Sequence, residues 1–153
     1  MKFFEPSGDF LDWLAKYAAG RCVYDVGCGE GHITIALQAR SVKCLGIDMF
    51  RQDDYIEKGL FNKIIVMDAE RCSFLKEREG LIIFCRPCHS GFVERIIQTC
   101  HPQSEVLYIS KPENLEVDLP NCKYLKLDVE TGAKEGEQVY RVGRPSIKKW
   151  LKK

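Results

Sequence analysis

The sequence predicts an α/β protein: a seven-stranded, mostly parallel sheet of Rossmann-like type, with helices on both faces and an antiparallel C-terminal hairpin. Three observations predict it. Short apolar runs alternate with stretches of helical periodicity, the pattern of parallel strands joined by crossover helices. The first of these runs ends in a glycine-rich turn that opens a helix. Two later runs follow one another with only turn residues between them, which predicts a hairpin.

Taken in order, the first helix starts near Ser7, carries Phe10, Leu11, Leu14, Tyr17 and Ala18 on one face, and stops at Gly20. Residues 21–26 form the first strand, followed by GCGEGHITIALQAR, a glycine turn and a helix with Ile33 and Leu37 facing inward. The second strand, VKCLGID, ends at Asp48, and the third, NKIIVMD, ends at Asp68. A helical segment around Phe74 and Leu75 leads to the fourth strand, LIIFC. The next helix places Phe92, Val93, Ile96, Ile97 and Cys100 on one face until Pro102 ends it, and EVLYIS is the fifth strand. KPENLEVDLPN is too short and broken for more than a turn or so of helix. CKYLKLDVE and QVYRVGR then flank the turn residues TGAKEGE, and PSIKKWLKK closes as a short helix with Ile147, Trp150 and Leu151 on one side.

At 153 residues, 45% hydrophobic and 29% charged, the chain suits one soluble domain spanning residues 1–153. No apolar run approaches the roughly 18 residues that cross a bilayer, so no membrane role is expected. The first residues lack the apolar core and cleavage site of a signal peptide, which points to a cytoplasmic protein. Most of the eight cysteines sit inside apolar runs, as Cys22, Cys44 and Cys85 do, and read as reduced, buried thiols. The net charge of +1 hides an asymmetry: Arg141, Arg144, Lys148, Lys149, Lys152 and Lys153 crowd the last residues without an acid among them. Such a run contacts phosphates in some proteins and is more simply the wet side of a terminal helix.

Ligands of open α/β sheets bind beyond the carboxyl ends of the strands. Four stretches fall there. In VYDVGCGEG, residues 23–31, Gly27 and Gly29 allow a sharp turn and close approach of a ligand to backbone. Asp48 ends the second strand, where a carboxylate accepts both hydroxyls of a ribose. In MDAE, Asp68 is placed to accept from an adenine amino group and the Ala69 N–H to donate to the ring. The fourth stretch is FCRPCHSGF, residues 84–92.

The acidic residue followed by Gly-x-Gly-x-Gly, here Asp25, Gly27, Gly29 and Gly31, resembles the first motif of class I S-adenosylmethionine-dependent methyltransferases. The resemblance extends along the chain through the acidic ends of strands two and three and the terminal hairpin. It implies that the turn at residues 27–31 holds the methionine part of the cofactor and that Asp25 supports it. It further implies Asp48, with Met49 beside it, at the ribose, and Asp68 with Ala69 at the adenine. A nicotinamide or flavin fold would need Gly-x-Gly-x-x-Gly, and Gly31 comes one residue too early for it.

The Cys-x-x-Cys-His string in FCRPCHSGF admits several readings. Haem attachment needs an exported chain. Zinc needs two more ligands, and Cys100 and His101 lie at the far end of the following helix, roughly 15 Å away. A redox pair of Cys85 and Cys88 has the right spacing, but Cys85 still belongs to a strand. No metal is expected. Against the methyltransferase pattern the string falls at the end of strand four, which implies that Cys85 and Arg86 meet cofactor and substrate; the chemistry of the imidazole makes His89 a candidate general base that removes a proton from a hydroxyl or amine. The Pro87–Cys88 pair also resembles the loop of pyrimidine C5 methyltransferases, in which Cys88 would attack the ring and Glu113, within KPENLE, would engage the ring nitrogen.

The expected function is S-adenosylmethionine binding and methyl transfer to an acceptor that is a small molecule or a nucleic acid. The alternative is a non-catalytic module that keeps the fold as an interaction platform. No stretch is long enough for a separate recognition domain, so a protein partner or a second copy of the chain is a candidate for completing the substrate site.

Overall fold

A computed structural model of the chain describes residues 4–49, 64–87 and 91–144. Cys88, His89 and the closing helix expected around Ile147, Trp150 and Leu151 lie outside the described residues.

Helix α1, Gly8–Ala18, starts where Ser7 accepts the Phe10 N–H at 3.2 Å, and it ends as Ala19 turns into the left-handed region at φ 51°. Strand β1, Val23–Val26, is buried along its whole length, as a central parallel strand must be. Helix α2, His32–Gln38, follows the glycine turn, and β2, Cys44–Asp48, returns beside β1. Strand β3 is described over Ile64–Val66, and a 3₁₀ turn, Ala69–Arg71, precedes α3, Ser73–Glu77. Strand β4, Leu81–Cys85, and β5, Glu105–Ser110, are joined through α4, Phe92–Thr99. The KPENLEVDLPN segment holds a 3₁₀ turn, Pro112–Asn114, and the four-residue α5, Leu115–Asp118. The hairpin consists of β6, Lys123–Lys126, and β7, Gln138–Gly143.

The seven strands form one sheet in the order β3-β2-β1-β4-β5-β7-β6. The first five pair in parallel; β7 runs antiparallel to both β5 and β6, so it alone is reversed. Chain order reverses between β1 and β4, which makes the tops of those neighbouring strands the switch point where ligands of such sheets bind.

Side chains alternate between two packed layers. On one face Phe10, Leu14 and Leu37 of α1 and α2 cover Val23, Ile83 and Ile109. On the other, Leu75, Val93, Ile97 and Leu115 of α3, α4 and α5 cover Tyr24, Phe84 and Tyr108. Burying a Leu or Phe completely contributes about 1.5–3 kcal/mol, so these layers carry most of the stability. Strand β6 is shorter than its sequence pattern, and all four of its residues are exposed. It is an edge strand covered on neither face, with Tyr124 and Leu125 flanked by Lys123 and Lys126, the charges that discourage pairing with another sheet edge. The seven cysteines among the described residues are free thiols. No described helix is long and apolar enough to cross a membrane.

Candidate functional site

The glycine turn grows out of β1 and folds over the top of β2. The Gly27 and Cys28 N–H groups donate to the Ile47 carbonyl at 2.7 and 3.2 Å, and Gly31 N–H donates back to Cys28 at 2.9 Å. Gly27, Gly29 and Gly31 take φ values of 74°, 56° and 81°, a region that disfavours any residue with a Cβ by roughly 1–2 kcal/mol. The space beside Gly27 is open: a Cβ there would meet nothing within 4 Å. The Gly29 N–H donates to Asp48 Oδ2 at 2.8 Å, so the carboxylate ending β2 is oriented by the turn that ends β1. Two sequence-predicted groups, the turn and Asp48, thus meet at one point. Met49 follows, 56% exposed.

Beneath the turn lies Asp25, 1% exposed. It faces α2, where Thr34 Oγ1 donates to its Oδ2 at 2.8 Å. Burial pushes its pKa up to about 6, with the nearby Asp48 charge acting in the same direction and the Thr34 hydrogen bonds opposing both. Asp25 therefore ties the end of β1 to α2, the two elements that the turn connects. Thr34 was not singled out from sequence, because a threonine inside an apolar helical pattern carries no distinguishing signal.

Gly46 was also missed. A Cβ on it would lie 2.8 Å from Thr34 Oγ1 and 2.9 Å from Cys28 Sγ, so only glycine lets β2 approach the turn and α2 this closely. Its signal was available: a glycine inside the strand CLGID marks a close backbone approach.

At the top of β3, Asp68 Oδ1 accepts the Glu70 N–H at 3.0 Å and caps the 3₁₀ turn in which Ala69 sits. Glu70 is in turn paired with Arg95 of α4. The carboxylate of Asp68 is thereby held in place, half-buried, beside the end of β2.

At the top of β4, Cys85 lies beside the switch point. Its thiol is raised well above its ordinary range, first by burial and then by the charges of Asp25, Cys44 and Glu137. A thiol so disfavoured as thiolate is a poor nucleophile, which weakens the redox reading of Cys85 with Cys88. Arg86 has a left-handed φ of 50°, and its N–H donates to the Ile109 carbonyl at 2.8 Å. Its side chain reaches past β5 to Glu137, with Nε 3.4 Å from Oε1. Glu113 is exposed on the 3₁₀ turn after β5. Cys88 and His89 lie outside the described residues, so their relation to Glu113 is not described. Among the described residues no three His, Cys, Asp or Glu side chains converge to hold a metal ion.

Around Arg86 the chain builds a wall of distant segments. Lys111 pairs with Glu135 at 3.2 Å, Thr131 Oγ1 donates to the Glu137 carbonyl at 2.9 Å, and Ser7 N–H donates to the Thr131 carbonyl at 2.8 Å. Gly132 packs so closely on Ser7 that a Cβ would lie 2.6 Å from the serine Cβ. The start of α1 and the β6–β7 connection therefore close one side of the strand tops.

No protein-family model matches the chain, and no curated protein matches its sequence. Solved structures do match. A TehB-like SAM-dependent methyltransferase from Corynebacterium glutamicum superimposes with a TM-score of 0.59 at 17% identity, covering 93% of this chain and 89% of that one. The 23S rRNA methyltransferase ErmE gives 0.62 at 15% identity, over 94% and 70% of the two chains. Magnesium protoporphyrin IX methyltransferase from Synechocystis, solved with bound SAM, gives 0.58 at 12%, over 90% and 79%. At these identities the likeness is one of fold.

Proposed function

We propose that residues 1–153 form a single S-adenosylmethionine-dependent methyltransferase domain acting in the cytoplasm. The observation that carries this reading is the Gly29–Asp48 contact at the switch point of a β3-β2-β1-β4-β5-β7-β6 sheet. A glycine turn open above Gly27, a half-buried carboxylate at the end of β2 and a second at the end of β3 suit a ligand with a charged amino-acid end, a ribose and a base. In this reading the turn at residues 27–31 takes the amino-acid end over the buried Asp25. Asp48 accepts from the ribose, beside Met49, while Asp68 and the Ala69 N–H take the adenine, and Cys85 with Arg86 border the transferring group.

When bound, the cofactor supplies a methyl group on positively charged sulfur; the acceptor's lone pair takes the methyl, and the electrons of the broken carbon–sulfur bond stay with sulfur. The protein's part is mainly in-line positioning. His89 is assigned to receive the proton that the acceptor loses. The Cys88 and Glu113 route to a pyrimidine carbon is the narrower alternative. Structures sharing this fold are named for acceptors as different as ribosomal RNA and a porphyrin, so the fold leaves the acceptor open.

The test is direct. Isothermal calorimetry with S-adenosylhomocysteine should give binding, and incubation with radiolabelled cofactor and separate RNA, DNA, protein and small-molecule fractions should label one of them. Absence of binding overturns the reading; binding with no labelled fraction favours the non-catalytic module.

A further inference from the structure

Four acidic side chains are buried among the described residues: Asp25, Glu94, Asp118 and Glu137. Three are satisfied by hydrogen bonds. Asp25 accepts from Thr34, Asp118 accepts from Tyr108, and Glu94 accepts from the Asn121 backbone and side-chain N–H groups and the Cys122 thiol. Glu137 differs. Its side chain is 1% exposed, and neither carboxylate oxygen accepts a hydrogen bond among the described residues. Among the described residues its ion-pair partner is Arg86, whose Nε at 3.4 Å lies outside hydrogen-bonding geometry. A carboxylate withdrawn from water and left without donors is unfavourable, and a loose ion pair offsets only part of that.

The position of Glu137 gives this imbalance a use. Register places Cys85 opposite Ile109, and Ser110 opposite Gln138, so Arg86, Ser110 and Glu137 lie together over the tops of β4, β5 and β7. Val139, two residues on, packs in the layer under α1 and α2, the side on which Asp25 meets Thr34. The Glu137 backbone is held through Thr131, which Ser7 fixes in turn. The Arg86 side chain that approaches the carboxylate is itself 26% exposed. The backbone that carries the carboxylate is anchored, and its ion-pair partner is a long, partly exposed side chain.

We propose that Glu137 is the acceptor-recognition carboxylate and Arg86 its displaceable cover, so that the methyl acceptor presents a cationic N–H donor, a protonated amine, amidine or guanidine. The charge follows from the exchange. Moving Arg86 aside would leave a buried negative charge, and only a group that brings both positive charge and donors restores the balance. Arg86 thus occupies the place the acceptor's cation takes. This proposal rests on the methyltransferase reading for the word acceptor, while the cation subsite itself is tested independently.

The experiment uses n-butylguanidine as probe, with n-butyrate and n-butanol as controls at constant ionic strength, followed by protein chemical shifts with and without S-adenosylhomocysteine. Arg86→Gly removes the cover and keeps the backbone comfortable at φ 50°. It should bind n-butylguanidine about tenfold more tightly than wild type, because the probe no longer competes with Arg86. The double variant Arg86→Gly/Glu137→Gln should lose that gain, and the controls should shift nothing. No tightening in Arg86→Gly overturns the proposal, and that result stands even if the double variant fails to fold. Equal binding by a folded double variant overturns it as well. Calorimetric binding of S-adenosylhomocysteine to wild type separates the two readings: failure there removes the acceptor role, whereas cofactor binding without the guanidine effect removes Glu137 alone.

Discussion

The two ends of the row of strand tops are built on opposite principles. Over β1 and β2, polar groups are matched from within: Gly29 meets Asp48, Thr34 meets Asp25, and Ile47 takes two N–H groups of the turn. Over β4, β5 and β7, side chains from segments far apart in sequence meet through ion pairs, and a buried carboxylate is left short of donors. The first end is complete before any ligand arrives. The second is completed by one.

Four substitutions break or sharpen this contrast. Asp25→Asn has the largest expected effect. The unfolded carboxyl ionises near pH 4, whereas the folded one holds its proton to about 6. The folded state therefore binds more protons in that interval, and the stability this confers is present below about pH 4 and is lost as pH rises through about 6. Denaturant melts of wild type against Asp25→Asn should differ by on the order of 2–3 kcal/mol in pH dependence across that window, with the variant flatter. Equal pH profiles would show that the fold does not raise the Asp25 carboxyl above its unfolded range.

Asp48→Ala comes next. On the proposed reading it removes charged hydrogen bonds to the ribose together with the Gly29 contact, and S-adenosylhomocysteine binding should weaken by about 1.5–3 kcal/mol, roughly ten- to a hundredfold by calorimetry. Gly46→Ala tests whether the first end is as tightly packed as its distances say. The added methyl must displace Thr34 or Cys28, and thermal or urea unfolding should register about 1–3 kcal/mol of destabilisation. The smallest effect belongs to the loose end. Arg86→Gly should be about 1 kcal/mol more stable to urea than Arg86→Ala, because the left-handed backbone there strains alanine and not glycine.

Much of this contrast tracks what was legible in the sequence. The parallel strands, the hairpin and the glycine turn were readable because their signals are local: period two or 3.6, and turn chemistry. Asp48 was readable because strand ends are. The shortened β6 was not, since an edge strand exposed on both sides lacks the alternation that marks a buried face. Gly46 gave a signal that went unused. The Arg86–Glu137 pair gave none: nothing local to either residue says that β4 and β7 flank the same strand, and only the three-dimensional order of the sheet brings them together. The capping of the 3₁₀ turn by Asp68 lies between these cases, for Asp before Ala-Glu is a recognisable turn start.

The Ser7–Thr131 hydrogen bond has a further consequence, for the order of assembly. Strands β1 and β2 and the turn between them come from one short stretch of chain, so their contacts close early and at little entropic cost. The opposite wall needs a residue from the beginning of the chain to meet one made more than a hundred positions later. In pulse-labelled hydrogen exchange during refolding, the Gly27 and Gly29 amides should therefore gain protection before that of Ser7. On a ribosome the glycine turn can take shape while the partner of Ser7 is still unmade, so the selective half of this protein is the last to be born.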